Sequence, residues 1–290
     1  RIVAVSALIA TIVLGFLINS IGLISSFAQG TCAFGSIQVS GSTSFFNTAA
    51  KEATNYKATC PTASINVDKT SSGQGLMDLE NGKINIANSE LVALANSGLQ
   101  DNSVAVIVFA LIVNKDVSIT NLSLEQIRGI YSGAYKNWRD VNPNDPTLPN
   151  QPITVYGRDS NSGTRAAFVR YILNGQSPAL PTLNNIKKGS GDVAAAVAST
   201  PYAIGYTDLG DANNALITTV DIETHASTPG AVEAGYYPFW TIEHMYTRSN
   251  PDGLSASFIK YVVNNVKSGS TFISLTDMTN NVLAAHDAYS

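Results

Sequence analysis

Three short segments combine small hydroxyl residues with glycine where the chain turns into a helix: Gly41-Ser42-Thr43-Ser44, Thr70-Ser71-Ser72-Gly73 and Ser162-Gly163-Thr164. A helix N-terminus presents backbone N–H groups without intrahelical partners, and hydroxyls beside them donate as well. Together they hold an oxyanion with little side-chain charge. Arg158 stands four residues before Ser162, where a guanidinium fork could reach the same anion. Any one segment alone reads as a helix cap. Three in one chain, the third with an arginine beside it, point to an oxyanion site. The alternative for Arg158 is a surface ion pair with Asp159 or Asp140.

These segments need elements to position them, and the apolar period supplies candidates. Strands are predicted over Ser36–Ser40, Ser64–Asp68, Ile84–Asn88, Ile153–Gly157, Ala203–Tyr206 and Phe239–Tyr246. Helices are predicted over Phe45–Tyr56 (capped by Ser44 or Thr43), Gly73–Asn81, Ser123–Ser132, Ser162–Leu173, Asp192–Ser199 and Leu254–Lys267. Ser123 and Gln126 have capping-box spacing. The continuous apolar run Val104–Asn114 is that of a strand covered on both faces. Strands alternating with helices imply an α/β fold with mainly parallel sheets.

Composition excludes several function classes. A net charge of -4 across 290 residues leaves no basic stripe to neutralise nucleic-acid phosphates. No G-x-S-x-G elbow and no P-loop occur, and His225, His244 and His286 all lie in the last quarter of the chain. His244 falls in a strand-like run and reads as a core or edge residue. An enzyme is not expected, and no metal or cofactor is implied. Cys32 and Cys60 lack further ligands for zinc. A disulfide between them would contribute about 3 kcal/mol; two free buried thiols are the alternative. The sequon Asn121-Leu122-Ser123 fits the same extracellular compartment.

The first thirty residues differ from the rest. No charge occurs between Ile2 and Gln29, and a helix of that length spans a hydrocarbon core. With no basic leader ahead of it, the run is expected to be retained rather than cleaved as a signal peptide. It resembles the N-terminal helix of type IV and archaeal pilins, although Val5 stands where bacterial pilins usually carry glutamate. Its small residues Ala4, Ser6, Ala7, Ala10, Gly15, Ser20 and Gly22 permit close helix packing.

Residues 36–250 carry a more specific likeness. In order along the chain stand GSTSFFNTAA at 41–50, TSSGQGLMDLENGKINIANSEL at 70–91, LSLEQIRGIYSGAYKNW at 122–138, YGRDSNSGTRAAFVRYI at 156–172, GSGDVAAAVASTPYAIGYTDL at 189–209 and YPFWTIEHMYTR at 237–248. This series resembles the phosphate-binding receptors of ABC transporters, of the type II periplasmic-binding-protein fold. The resemblance implies a two-lobed α/β fold behind one long hydrophobic helix at 1–30. One lobe would comprise 31–115 with 211–290, and the other 116–210. It implies that Thr43, Ser44 and Ser71 contact a phosphate-like oxyanion from the first lobe, and Arg158, Ser162, Gly163 and Thr164 from the second. Glu90 stands where the family usually has an aspartate that accepts a hydrogen bond from the protonated anion. The family's aspartate two residues past the arginine is Ser160 here, with Asp159 next door.

Two functions are expected from these features. One is an oxyanion-binding domain displayed on the surface by a pilin-like filament, with copies joined through the hydrophobic helix. The other is a membrane-tethered monomeric receptor docking on an ABC permease. Both place the chain outside the cell, with the membrane met during export or anchoring.

Overall fold

The computed structural model describes residues 32–269 and 271–287. In chain order the elements are β1 (Gly35–Gly41), α1 (Phe46–Thr59), β2 (Ala63–Val67), α2 (Ser72–Glu80), β3 (Ile86–Ser89), β4 (Leu99–Gln100) and β5 (Ser103–Asn114). Then come β6 (Asn121–Leu122), α3 (Leu124–Tyr131), α4 (Trp138–Val141), β7 (Thr154–Val155), β8 (Gly157–Arg158), α5 (Gly163–Ala167), β9 (Ile186–Lys187) and α6 (Ser190–Ser199). The chain closes with β10 (Ala203–Asp208), β11 (Ile217–Ile222), α7 (Pro229–Glu233), β12 (Trp240–Arg248), α8 (Gly253–Asn265), β13 (Phe272–Ser274) and α9 (Asn280–Asp287).

The apolar strand β5 is the beam on which both lobes are built. Every residue after Ser103 is buried, as expected of a strand covered on both faces. Its first half pairs with β12 and β13, and its second half with β10 and β11. The ladder runs β2-β1-β3-β12-β5-β10-β7. The sheets are mixed rather than mainly parallel, which corrects the sequence expectation. β1 runs parallel to β2 and β3, but every partner of β5 is antiparallel. Helices α6, α7 and α8 precede β10, β12 and β13, yet all of these strands run antiparallel to β5, so strand–helix alternation alone could not give their direction.

Helix faces follow their apolar spacing. α1 buries Ala49, Glu52, Ala53 and Tyr56, at intervals of three or four. Its Tyr56 ring meets Phe258 and Tyr261 of α8 edge-on, at centroid distances of 5.9 and 5.2 Å. α3 begins with the expected capping box of Ser123 and Gln126. The helix expected over 162–173 is interrupted: α5 passes into a π-helical turn at Phe168–Ile172. His244 lies on β12, mostly buried, with Nδ1 2.7 Å from Asp101 Oδ1.

Cys32 and Cys60 form the expected disulfide, with Cα atoms 5.4 Å apart. It fastens the segment entering β1 to the end of α1. The long hydrophobic helix expected over residues 1–30 lies outside the described residues. Among the described residues, no helix is long and apolar enough to cross a membrane.

Candidate oxyanion site

The first lobe's contribution begins at Gly41. Its φ of +136° and a would-be Cβ only 2.1 Å from the Asn88 carbonyl oxygen leave room for no side chain. This close approach seats residues 42–44 over the end of β3, where the Ser42 N–H donates to Asn88 O (2.8 Å). Ser42, rather than Ser44 or Thr43, accepts from the backbone as the helix opens: its Oγ takes the Phe45 N–H at 3.1 Å. The sequence cannot tell which of three adjacent hydroxyls bonds back, and the correction frees Thr43 and Ser44 to face the other lobe.

Arg158 supplies the opposite wall. The β8–β9 pairing sets Arg158 opposite Lys187, and the Arg158 N–H donates to the Tyr206 hydroxyl at 3.2 Å. Burial pushes that phenol up to about 12, so it stays neutral. The guanidinium is 2% exposed. Its Nη1 donates to Ser190 Oγ (2.9 Å), and Nη2 donates to Thr43 Oγ1 (3.1 Å) and to Lys188 O (2.9 Å). Its Nε is buried without a hydrogen-bond partner among the described residues. No carboxylate lies within ion-pair distance of it among the described residues. The surface ion pair considered from sequence is absent, because Asp159 pairs with Lys188 (3.2 Å) and Asp140 accepts the Lys136 and Asn137 N–H groups.

Hydroxyls from both lobes interlock around this cation. Ser44 Oγ lies 3.1 Å from Thr164 Oγ1 and 2.9 Å from Ser190 Oγ. Thr43 Oγ1 accepts the Ser190 N–H at 3.3 Å. A hollow of about 150 Å³ opens beside them, lined among others by Thr43, Lys69, Lys188, Ser190 and Asp211.

Glu90 occupies the second half of the site. It is buried, its Oε1 accepting from Ser42 Oγ (2.9 Å) and Oε2 from Ser72 Oγ (2.7 Å). The extra methylene carries the carboxylate over Gly163, where a Cβ would stand 2.2 Å from Glu90 Oε2. Glycine is needed there by contact, not by backbone conformation. Behind it, Glu243 on β12 is fully buried, and neither carboxyl oxygen has a hydrogen-bond partner among the described residues. Burial, followed by the charge of Glu90, holds Glu243 well above the usual carboxylate range. Asp208, at the end of β10, is pushed up to about 7, first by burial and then by Asp211.

The structure thus brings Thr43, Ser44, Arg158 and Thr164 together, and sets Glu90 against Gly163. Ser71 and Ser162 stand beside them as helix N-caps. Their hydroxyls accept from Gln74 N (3.3 Å) and Arg165 N (3.2 Å), with no hydrogen bond to the other site residues. Ser42 and Ser72 lie in the marked hydroxyl-and-glycine loops without a role assigned to them, and Ser190, Glu243 and Asp208 lie outside those loops. For Ser190 the signal was present, because Gly189-Ser190-Gly191 repeats the pattern of glycine and serine ahead of a helix.

Comparison with known proteins fits this geometry. Residues 26–266 match the family model described as a PBP superfamily domain. The phosphate-binding protein PstS of Bacillus subtilis is 31% identical over 256 residues, covering 85% of this chain and 83% of the relative. An ABC-type phosphate transport receptor from Vibrio cholerae superposes with a TM-score of 0.62 at 25% identity, covering 79% of this chain and 93% of that one. A Clostridium perfringens protein described as a phosphate ABC transporter substrate-binding protein, with bound phosphate, shares the fold. Its TM-score is 0.69 at 24% identity, over 79% and 93% of the two chains. The chain belongs to the PstS phosphate-binding protein family of the PBP superfamily, a family of binding proteins rather than enzymes.

Proposed function

We propose that this chain binds a phosphate-type oxyanion between its lobes and serves as the substrate-binding receptor of a phosphate ABC transporter, passing the anion to a membrane permease. The observation that carries the reading is Arg158: a buried guanidinium that donates to the Ser190 and Thr43 hydroxyls and is paired with no carboxylate among the described residues. A buried cation without a counter-ion is costly, and an oxyanion would supply what is missing. Arg158 Nε has a donor to spare. Thr43, Ser44, Thr164 and Ser190, now bonded to one another, would turn their hydroxyls onto the anion. Gly163, Ser71 and Ser162 shape the walls around it. Glu90 is the acceptor of the set, and giving up one serine partner would let it receive a hydrogen from a protonated anion.

The lobes divide as 31–115 with the return of the chain, against 116–210. The pairing of β11 with β6 and with the second half of β5 favours giving residues 217–222 to the second lobe rather than to the 211–290 return. The disulfide fits an extracellular or membrane-anchored location. Family membership favours the receptor over the filament. Assembly of copies through a helix at 1–30 has only the uncharged run of the sequence behind it, and tethering to a membrane would use the same run.

Thermal unfolding with added phosphate tests the binding claim. A rising melting temperature that tracks phosphate concentration is expected, because a ligand that binds only the folded state stabilises it. No shift at millimolar phosphate would contradict the reading.

A further inference from the structure

On its inner side the Arg158 site is filled. The Glu90 carboxylate lies against Gly163, where an added Cβ would come within 2.2 Å of Oε2, and both of its oxygens accept from serine hydroxyls. A tetrahedral anion at Arg158 therefore meets Glu90 on one side and has its free volume on the other. That other side is the hollow of about 150 Å³. Thr43 and Ser190, whose hydroxyls accept from Nη2 and Nη1 of Arg158, form part of its wall. An oxyanion that displaces these hydroxyls from the guanidinium would turn one oxygen toward the hollow.

The rest of the lining is chemically mixed. Lys69 and Lys188 line the hollow together with Asp192 and Asp211, so its formal charges cancel. Lys188 is paired with Asp159 at 3.2 Å, and the Lys69 ammonium, 5.3 Å from the ring centroid, covers Phe46. Asp192 accepts the Gly189 N–H at 2.9 Å, a bond that uses one of its two oxygens. Asn47, exposed on the first turn of α1, adds an amide that both donates and accepts. A second phosphate would meet the two aspartates, and an ammonium group the two lysines. An uncharged tail of hydroxyls finds donors and acceptors alike. At a liquid share of about 30 Å³ per water-sized group, the hollow takes about five such groups. A glycerol ester carries a tail of that size beyond its bridging oxygen.

We propose that the site takes a phosphomonoester of a small polyol, with the phosphate at Arg158 and the hydroxylated tail in this hollow. The proposal rests on the oxyanion reading of Arg158 and extends it from the bare anion to its esters. Glu90 faces the inner oxygens, and the ester oxygen points outward.

Competition calorimetry of the full chain with inorganic phosphate and glycerol 3-phosphate tests the proposal. Glycerol 3-phosphate is expected to displace phosphate from a single site and to bind about tenfold more tightly, as for one or two added hydrogen bonds. Asn47→Leu should cut that advantage over phosphate about fivefold, the loss of one such bond. Pyrophosphate should show no comparable advantage, because its second group meets Asp192 and Asp211. If phosphate binds and glycerol 3-phosphate binds no more tightly, the proposal is overturned while the oxyanion reading stands. An advantage untouched by Asn47→Leu, or a larger one for pyrophosphate, overturns it as well. Binding of neither ligand contradicts the oxyanion reading itself, and the proposal with it.

Discussion

The two ends of the interlobe site are chemical opposites. Around Arg158, one buried cation donates to two hydroxyls and a backbone carbonyl, with no carboxylate at ion-pair distance among the described residues. Around Glu90, the buried groups are acidic, and Glu243 behind it has no hydrogen-bond partner for its oxygens among the described residues. Nature could have paired these charges across the site and left a stable, closed interior. Keeping them apart fits the proposed function, in which the Arg158 end would hold an oxyanion and Glu90 would accept a hydrogen from one still protonated. Each end is held by hydroxyls of the same loop: Thr43 reaches Arg158, while Ser42 reaches Glu90.

Breaking the cationic end should have the largest effect. Arg158→Gln is expected to weaken phosphate binding at least about 100-fold, the cost of losing a desolvated charge partner. The same chain without phosphate should not unfold at lower temperature, because the unpaired buried cation is gone. Calorimetry and thermal unfolding check the two halves together. A strong loss of stability without ligand would mean that Arg158 is a structural residue.

At the acidic end, Gly163→Ala forces a methyl group against Glu90 Oε2 and Ser72 Oγ, 2.2 and 2.7 Å from its ideal position. A destabilisation of about 2 kcal/mol is expected from such overpacking, together with weaker phosphate binding. An unchanged denaturant midpoint would show that Glu90 moves aside freely.

Asp208 sharpens the contrast through pH. Its folded value of about 7 lies above the unfolded carboxyl value, so the folded state binds more protons between pH 4 and 7. The stability it contributes is therefore present at low pH and is lost as pH rises through 7. Asp208→Asn should raise the melting temperature by about 5 °C at pH 8 and hardly at all near pH 4. A pH-independent difference between the two chains would contradict the assignment. The smallest effect is expected from Ser190→Ala, which removes one of the two hydroxyls that accept from the Arg158 guanidinium and should weaken phosphate about fivefold to tenfold. The reading fails if affinity is unaltered.

Much of this fold is legible in the sequence where a single element decides the matter. The run Val104–Asn114 announces a doubly covered strand, and Ser123 with Gln126 announces a helix start. Pairing direction is not a local property, so the antiparallel partners of β5 escape a reading by period. The short, polar-edged β11 and β13 lack an apolar run long enough to notice. The π-turn has the same apolar spacing as an ordinary helix. At the site, residue types mark the Gly/Ser/Thr loops and Arg158, but not what each hydroxyl touches. Ser42 and Ser72 meet Glu90 only after β1, α2 and β3 have come together, and Glu243 arrives from more than 150 residues later in the chain.

Titration calorimetry of the purified chain with inorganic phosphate tests the central claim most directly. The account requires one saturable phosphate per chain, absent when Arg158 is replaced by glutamine. Absence of saturable heat at millimolar phosphate, or equal binding by both chains, would contradict it.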